Sequence, residues 1–479
     1  MPAEGLVAAE DVLLFANAAI TATAQREFHG GAAEQRMSLD FLHAYMLGNY
    51  RDLYAAVLAL GINDHNAALV IHGLLATAGE ATPRQRHLEG RLIARRFALL
   101  PPQRGYALVA ALREAKVNNR RTRAIVRDWL AARPDLALDA VKYRTGLKTA
   151  LRHAHLPPPS AELGDFLFRP RARARYTAPL LDTWRRAHYE QGAVHELPFT
   201  VAEGFAARHG IARAAFLERI APRMTRGERL RLQESARREG AAAVRADLTA
   251  MPLTRLASYV LGLPLPDRAA RRAELTAALR AAARRAAGPE AGTWGRVAAV
   301  LDDSFSAYAS GHKRRRPLAV ALAAHFLLAE LGAAYAPYWT SGRRDALPAV
   351  PHGATPLGER VLDALEPRPD RLVIVSDGWD NAPPGMAAEV LRVWHERLDP
   401  HGRVSVVHLN PVYDADTFTV RRLSPTVPTA GIRDAEDLPV LTGLARFAAG
   451  RTGLPELRAH LDARVAAFLA PVPEEGAAP

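Results

Sequence analysis

The sequence predicts a multidomain chain. An all-α helical repeat is expected over residues 1–290, an α/β doubly wound domain over residues 291–470, and a disordered tail at 471–479. Three observations predict it. Strong helix formers, with apolar residues at three- and four-residue spacing, fill the first part. Short apolar runs alternate with helical stretches in the second, as a parallel sheet with crossover helices requires. The charge also changes at the boundary. Residues 1–290 carry 43 Lys+Arg against 28 Asp+Glu, or +15, whereas residues 291–479 carry 20 against 22, or −2, within a whole-chain net charge of +13.

In the first part, Phe41–Leu47 and Tyr54–Leu60 show the helical spacing. Gly61, Pro83, Pro101, Pro102, Pro134, Pro157 and Pro222 punctuate the helices. Pieces of about 10–18 residues with short breaks read as stacked antiparallel pairs, a HEAT-like α-solenoid. No strict sequence period sets the repeat type.

The excess positive charge is gathered in clusters. Lys116, Arg120, Arg121, Arg123 and Arg127 form the first, and Lys142, Arg144, Lys148 and Arg152 the second. The third, Arg169, Arg171, Arg173 and Arg175, alternates along a segment flanked by Phe166, Phe168 and Tyr176. Arg beside aromatic rings suits phosphates and unpaired bases. The competing reading for each cluster is a solvated helix face, and an Arg-rich composition also follows from a GC-rich genome. Confinement of the excess to one part of the chain favours a polyanionic partner there.

In the second part a strand is expected at 295–301, then a helix at 313–332 and a strand at 333–340. A helix at 356–366, a strand at 371–376, a helix at 384–398 and a strand at 403–409 follow, with closing helices at 437–449 and 454–469. Five oxygen-bearing residues fall at strand ends or in loops of this pattern: Asp302, Ser304 and Ser306, then Thr355, then Asp377. Such positions converge at the carboxyl edge of a parallel sheet. Two carboxylates and three hydroxyls, without Cys or His, suit Mg²⁺ or another hard divalent cation. The alternative is that Asp302 and Asp377 cap helices or make turns.

This Asp-x-Ser-x-Ser, Thr, Asp pattern resembles the metal-ion-dependent adhesion site (MIDAS) of von Willebrand factor A (vWA) domains, over about residues 291–470. Phe305 and Ala307 stand where many members carry Gly and Met. A basic helical repeat followed by a vWA domain is in turn similar to the TROVE/Ro RNA-binding proteins. The phrases Met251–Leu256 and Ala140–Arg144 are placed as in that family. The resemblance implies repeats closed into a ring that binds small, structured or misfolded RNA in a ribonucleoprotein, with the basic residues above as candidate contacts. It also implies a metal site at which a protein carboxylate completes the coordination.

The expected function is therefore RNA binding without catalysis, by a cytoplasmic, monomeric protein with no membrane association. The alternative is a vWA adaptor that serves an AAA+ ATPase and binds no RNA. A metal-dependent hydrolase fits less well, because no general base accompanies the five oxygens. Asp303 is expected to point away, and His312 and His352 more often serve structure. There is no Cys, which excludes disulfides and thiolate metal sites. His153 and His155 lack a third zinc ligand, and there is neither a Walker A sequence nor a Gly-x-Ser-x-Gly elbow. The N-terminus lacks the basic region of a signal peptide. The apolar stretch Pro317–Leu331 is too short to span a bilayer. Lys313–Arg316 opens a predicted helix with positive charge, against the helix dipole. It reads as the solvated start of that helix or as a phosphate-contacting patch.

Overall fold

The computed structural model describes residues 3–170, 172–445 and 454–471. It contains two compact units, one of residues 68–247 and one of residues 1–67 together with 248–479. The division is thus not at residue 290. Residues 1–67 and 248–290, expected within the helical repeat, pack with the sheet. The tail at 472–479 lies outside the described residues.

The α/β unit is built on β1 (Arg296–Leu301), β2 (Ala334–Trp339), β3 (Arg371–Val375) and β4 (Ser405–Asn410). A small antiparallel pair, β5 (Tyr413–Asp414) and β6 (Thr419–Val420), follows, and then β7 (Thr429–Gly431). The main sheet is parallel throughout, in the order β2-β1-β3-β4-β7. Side chains alternate between its two faces. Ala298, Val300, Leu372, Ile374 and Val406 pack on helices Leu357–Leu365 and Met386–Val393. On the other side, helix Arg316–Leu331 contacts β1, β2 and β3, and it also contacts helices Leu253–Gly262 and Arg272–Ala287. Covered on both sides, it is apolar nearly all round, as a buried helix must be. This accounts for the long apolar stretch without a membrane. Among the described residues no helix is long and apolar enough to cross one.

Specific polar contacts hold the flanking segments on the sheet. Helix Ala3–Thr21 lies against β7, where the Gly431 amide donates to Asn17 Oδ1 at 2.8 Å. A Cβ at Gly431 would sit 2.9 Å from Thr21 Cγ2, so only glycine permits this approach. A sheet edge left open would template aggregation, and the helix covers it. Tyr413 meets the Ser38 hydroxyl at 2.5 Å and accepts from Gln35 through its carbonyl. Buried Arg268 donates to the carbonyls of Leu261, Leu263, Leu347 and Ala349, tying residues 261–268 to the loop after β2. Burial lowers its pKa to about 10.

The described part of unit 68–247 is helical. Pro83, Pro102 and Pro179 each open a helix at its first position, where the missing amide has no partner to lose. Thr82 caps the first of these in a reciprocal bond pair with Gln85. Helix Pro102–Glu114 packs with Arg144–His153, and helix Pro83–Leu99 with Arg120–Ala131. Phe97 and Trp129 stack at 4.6 Å in the latter pair. Lys+Arg number 33 in residues 68–247 and Asp+Glu 17, giving +16; the remaining residues hold 30 against 33, giving −3. The charge therefore divides more sharply at the unit boundaries than at residue 290.

Candidate metal centre and basic surface

The register brings the loops that carry the five residues side by side. Leu301 pairs with Val375, so the chain leaves β1 and β3 side by side at the carboxyl edge, and the Asp302 amide extends the ladder to Val375 O at 3.0 Å. Asp302, Ser304, Thr355 and Asp377 are all buried. Asp302 accepts from the Ser304 amide at 2.9 Å and from Thr340 Oγ1 at 3.3 Å. The Ser304 and Ser306 hydroxyls lie 3.2 Å apart, and Ser306 hydrogen-bonds Asp377. Asp377 also accepts from the Trp379 amide at 3.0 Å. The Thr355 amide donates to Asn381 Oδ1 at 2.8 Å, fixing its loop beside the one that follows β3.

Burial and the facing Asp377 carboxylate push the Asp302 carboxyl up to about 7, and burial raises Asp377 as well. No Lys or Arg among the described residues donates to either. The neighbouring Asp303 contrasts with them. It shares the Thr340 hydroxyl with Asp302, accepts from Thr340, Ser341 and Arg343, and forms a buried ion pair with Arg343. It is therefore an anchor for the loop after β2 and is not placed as a base. Buried charges in proteins are paired with a counter-charge or coordinate a metal. The charges of His29 and Arg421 act on Asp377, and neither carboxylate makes an ion pair among the described residues; an all-oxygen set of this kind fits a hard divalent cation. Among the described residues no cluster of three or more His, Asp or Glu has metal-ligand placement, so any ion here would depend on the hydroxyls.

Several supporting residues were not evident from the sequence. Asn410, at the end of β4, donates to Asp377 O at 2.9 Å and to Arg421 O at 3.0 Å. Gly378 has φ +80°, and a Cβ there would sit 2.8 Å from Arg421 O. Beside the ligand loops, the His29 ring lies 4.4 Å from Trp379, Arg421 stacks 3.8 Å over Trp379, and Phe28 meets Phe305 edge-on at 5.9 Å. Phe305 therefore leaves the ligand positions intact and packs toward residues 24–31 of the same unit. Only the Trp in the SDGWD segment hinted at this cluster. His312 and His352 are not among the ligands; the His352 amide donates to Asp303 O at 2.9 Å.

All the predicted basic clusters fall in unit 68–247, but they divide into two kinds. Arg121 is held by Glu89 at 3.0 Å and by Arg86 O, and Arg144 donates to the carbonyls of Phe166 and Leu167 while lying 5.1 Å over the Phe166 ring. Burial lowers the Arg144 pKa. These two guanidinium groups are held by contacts within the protein, although Arg144 Nε is buried without a partner. Lys148 and Arg152 instead project over the half-exposed Phe168 ring at 5.6 and 5.0 Å. Burial, then the charges of Arg144 and Arg152, lower the Lys148 pKa, which marks a crowd of cations. Lys142 lies 5.9 Å over Tyr143. Lys116, Arg120 and Arg175 are exposed, Arg123 is half-buried, and Arg127 pairs with its neighbour Asp128. Arg169 and Arg173 share Asp165, each at 2.7 Å, and Arg171 lies outside the described residues. His153 and His155 bond to Val117 O and Asn118, respectively, and converge on no third ligand.

Together these features define a chain with an extensive helical region and a vWA-like doubly wound domain carrying a carboxylate–hydroxyl constellation at its carboxyl edge. The crystal structure of the Deinococcus radiodurans Ro (RSR) protein has the same fold. It superposes with a TM-score of 0.57 over 92% of this chain and 100% of that one, at 18% sequence identity. No family model matches the sequence, and neither does any curated protein.

Proposed function

We propose that this protein binds RNA without catalysing a reaction on it, and that its vWA-like domain binds a protein partner through a divalent ion. The observation that carries the RNA reading is the charge division, +16 on residues 68–247 against −3 on the rest. A field of that sign recruits a polyanion, and Phe168 beneath Lys148 and Arg152 offers a ring for an unpaired base. The shared fold with a Ro protein supports small, structured or misfolded RNA as the ligand. Lys142, Lys148, Arg152 and Arg175 are the foremost contacts, whereas Arg121 and Arg144 shape the surface that presents them. A cytoplasmic monomer accords with this reading.

Asp302, Ser304, Ser306, Thr355 and Asp377 would hold Mg²⁺ or a similar cation. Bound there, the ion supplies a Lewis-acidic position for a carboxylate of the partner. The protein's own side chains fix the ligand loops through Asn381, Asn410 and Thr340. Asp303, already bonded to Arg343, is not placed to take a proton from water.

The test is titration of fluorescent single-stranded RNA into the full-length protein over a range of salt. Affinity falls with salt at a slope of roughly −0.7 per phosphate neutralised. An absence of salt-sensitive binding, with no ribonuclease-removable 260 nm absorbance in the purified protein, would defeat the RNA reading and leave the adaptor reading in its place.

A further inference from the structure

A second cavity lies at the carboxyl edge of the sheet and is not accounted for by the candidate metal centre. Its volume is about 500 Å³, well within the range that small-molecule sites occupy. The loop before helix Arg316–Leu331, residues 21–25, and the ends of β4 and β7 at Pro411 and Ile432 enclose it. His312, Lys313, Arg314, Arg316 and Arg433 line it, and no Asp or Glu does. Thr21, Thr23 and Ser258 supply hydroxyls, and Thr23 Oγ1 is buried without a partner.

The counter-charges leave a surplus at this wall. Lys313 pairs with buried Glu27. Arg316 and Arg433 share one carboxylate, Asp434, at 2.9 and 2.6 Å. Asp437 and Asp64 also act on Arg433, and Asp437 and Glu27 on Arg316, although none of the three lines the cavity. Arg314 makes no ion pair among the described residues and is exposed. In direct ion pairs, the four cationic side chains Lys313, Arg314, Arg316 and Arg433 thus meet two carboxylates, an excess of two before any charge on His312. The 16-residue helix starting at Arg316 adds its positive end, and its N-cap, Arg315, has φ 55° and no side-chain cap. Four consecutive basic residues at a helix N-terminus oppose the dipole unless an anion sits among them. A phosphate monoester carries about −1.5 to −2 at neutral pH, which matches the surplus.

We propose that this cavity is a binding site for a small phosphate monoester of up to mononucleotide size, separate from the RNA surface and the candidate metal centre. The phosphate sits between Arg314, Arg316 and Arg433 at the helix start, and the organic part lies toward Pro411 and Ile432.

Isothermal titration calorimetry on the full-length protein, with AMP and ribose 5-phosphate as probes, tests this. Both should bind at least ten-fold more tightly than adenosine, ribose or inorganic phosphate. Arg314→Ala should weaken AMP binding at least ten-fold and Thr23→Val less, both with unchanged circular dichroism, because neither side chain holds a structural bond. Lys148→Glu with Arg152→Glu should leave AMP binding unchanged. Adenosine or inorganic phosphate binding as tightly as AMP would overturn the proposal, as would an unaffected Arg314→Ala. So would silence toward both probes combined with Arg314-dependent preference for 5′-phosphorylated over 5′-hydroxyl RNA, which would reassign the cavity to an RNA end.

Discussion

The two units compensate their buried charges differently. In unit 68–247 the buried carboxylates Glu89 and Asp139 are each paired with a guanidinium group. Arg144 lies over Phe166 and bonds carbonyls, and Arg133 pairs with buried Asp139 at 2.7 Å. Each is held in place by contacts within the protein. In the α/β unit the carboxylates Asp302 and Asp377 are buried facing each other, and neither makes an ion pair among the described residues. A cation held by packing and bonds is structural, whereas a pair of buried carboxylates that make no ion pair is a candidate site. The same comparison separates Arg121 and Arg144 from Lys148 and Arg152 within a cluster that looks uniform in sequence.

The largest expected effect is at the anions. Asp302→Ala or Asp377→Ala should abolish Mg²⁺ binding in calorimetry while the helical circular dichroism of unit 68–247 persists. Undiminished Mg²⁺ binding in both variants would remove the contrast between the units. Next comes Arg144→Ala, which strips the Phe166 and Leu167 carbonyls and the rings of Phe166 and Trp184, the latter 5.4 Å away, of their partner. It should lower stability in urea by roughly 2–4 kcal/mol, whereas Arg152→Ala should change it by less than about 0.5 kcal/mol. Equal losses would mean that the division into packing and surface cations is wrong. Gly378→Ala places a Cβ against Arg421 O at positive φ and should cost about 1–3 kcal/mol, with weaker Mg²⁺ binding because the Asp377 loop moves.

The smallest effect is a pH dependence. His408 is fully buried and bonds Ser376 O, and burial lowers its pKa to about 4. The unfolded chain takes up that proton near pH 6.5 and the folded one only near 4, so this group's contribution is lost as pH falls from 6.5 to 4. Asp302, Asp377 and Asp437, whose pKa values are raised, act in the opposite direction. The readable quantity is therefore the difference between parent and His408→Asn. The variant should lose less thermal stability than the parent on acidification across that window, and parallel curves would contradict the assignment.

Much of the α/β unit was legible because its strands are short apolar runs bounded by turn residues. The expected strand at 371–376 and helix at 313–332 match Arg371–Val375 and Arg316–Leu331 within a few residues. Three-residue β7 was not legible, since Thr-Ala-Gly carries no periodicity; tertiary pairing with His408–Asn410 makes it a strand. The expected helix at 437–449 begins at Leu438, and its end lies outside the described residues. The five oxygens were readable from spacing, but Asn410, Thr340 and Arg343 were not, because they reach the loops from other strands and leave no local pattern. Residues 1–67 were misassigned for a related reason. An amphipathic helix in sequence does not reveal which apolar surface it will cover, and helix Ala3–Thr21 covers the edge of a sheet more than 400 residues away in the chain.

The central claim is that the polyanion belongs to unit 68–247 and the ion to the α/β unit. RNA affinity measured side by side for three full-length proteins tests it most directly: the parent, Lys148→Glu with Arg152→Glu, and Ser304→Ala with Ser306→Ala. The account predicts that the charge reversal weakens binding at least ten-fold and flattens the salt slope by about 1.4, while the double Ser variant stays within a few-fold of the parent and loses Mg²⁺. A folded double Ser variant that no longer binds RNA, beside an unaffected charge reversal, would contradict it.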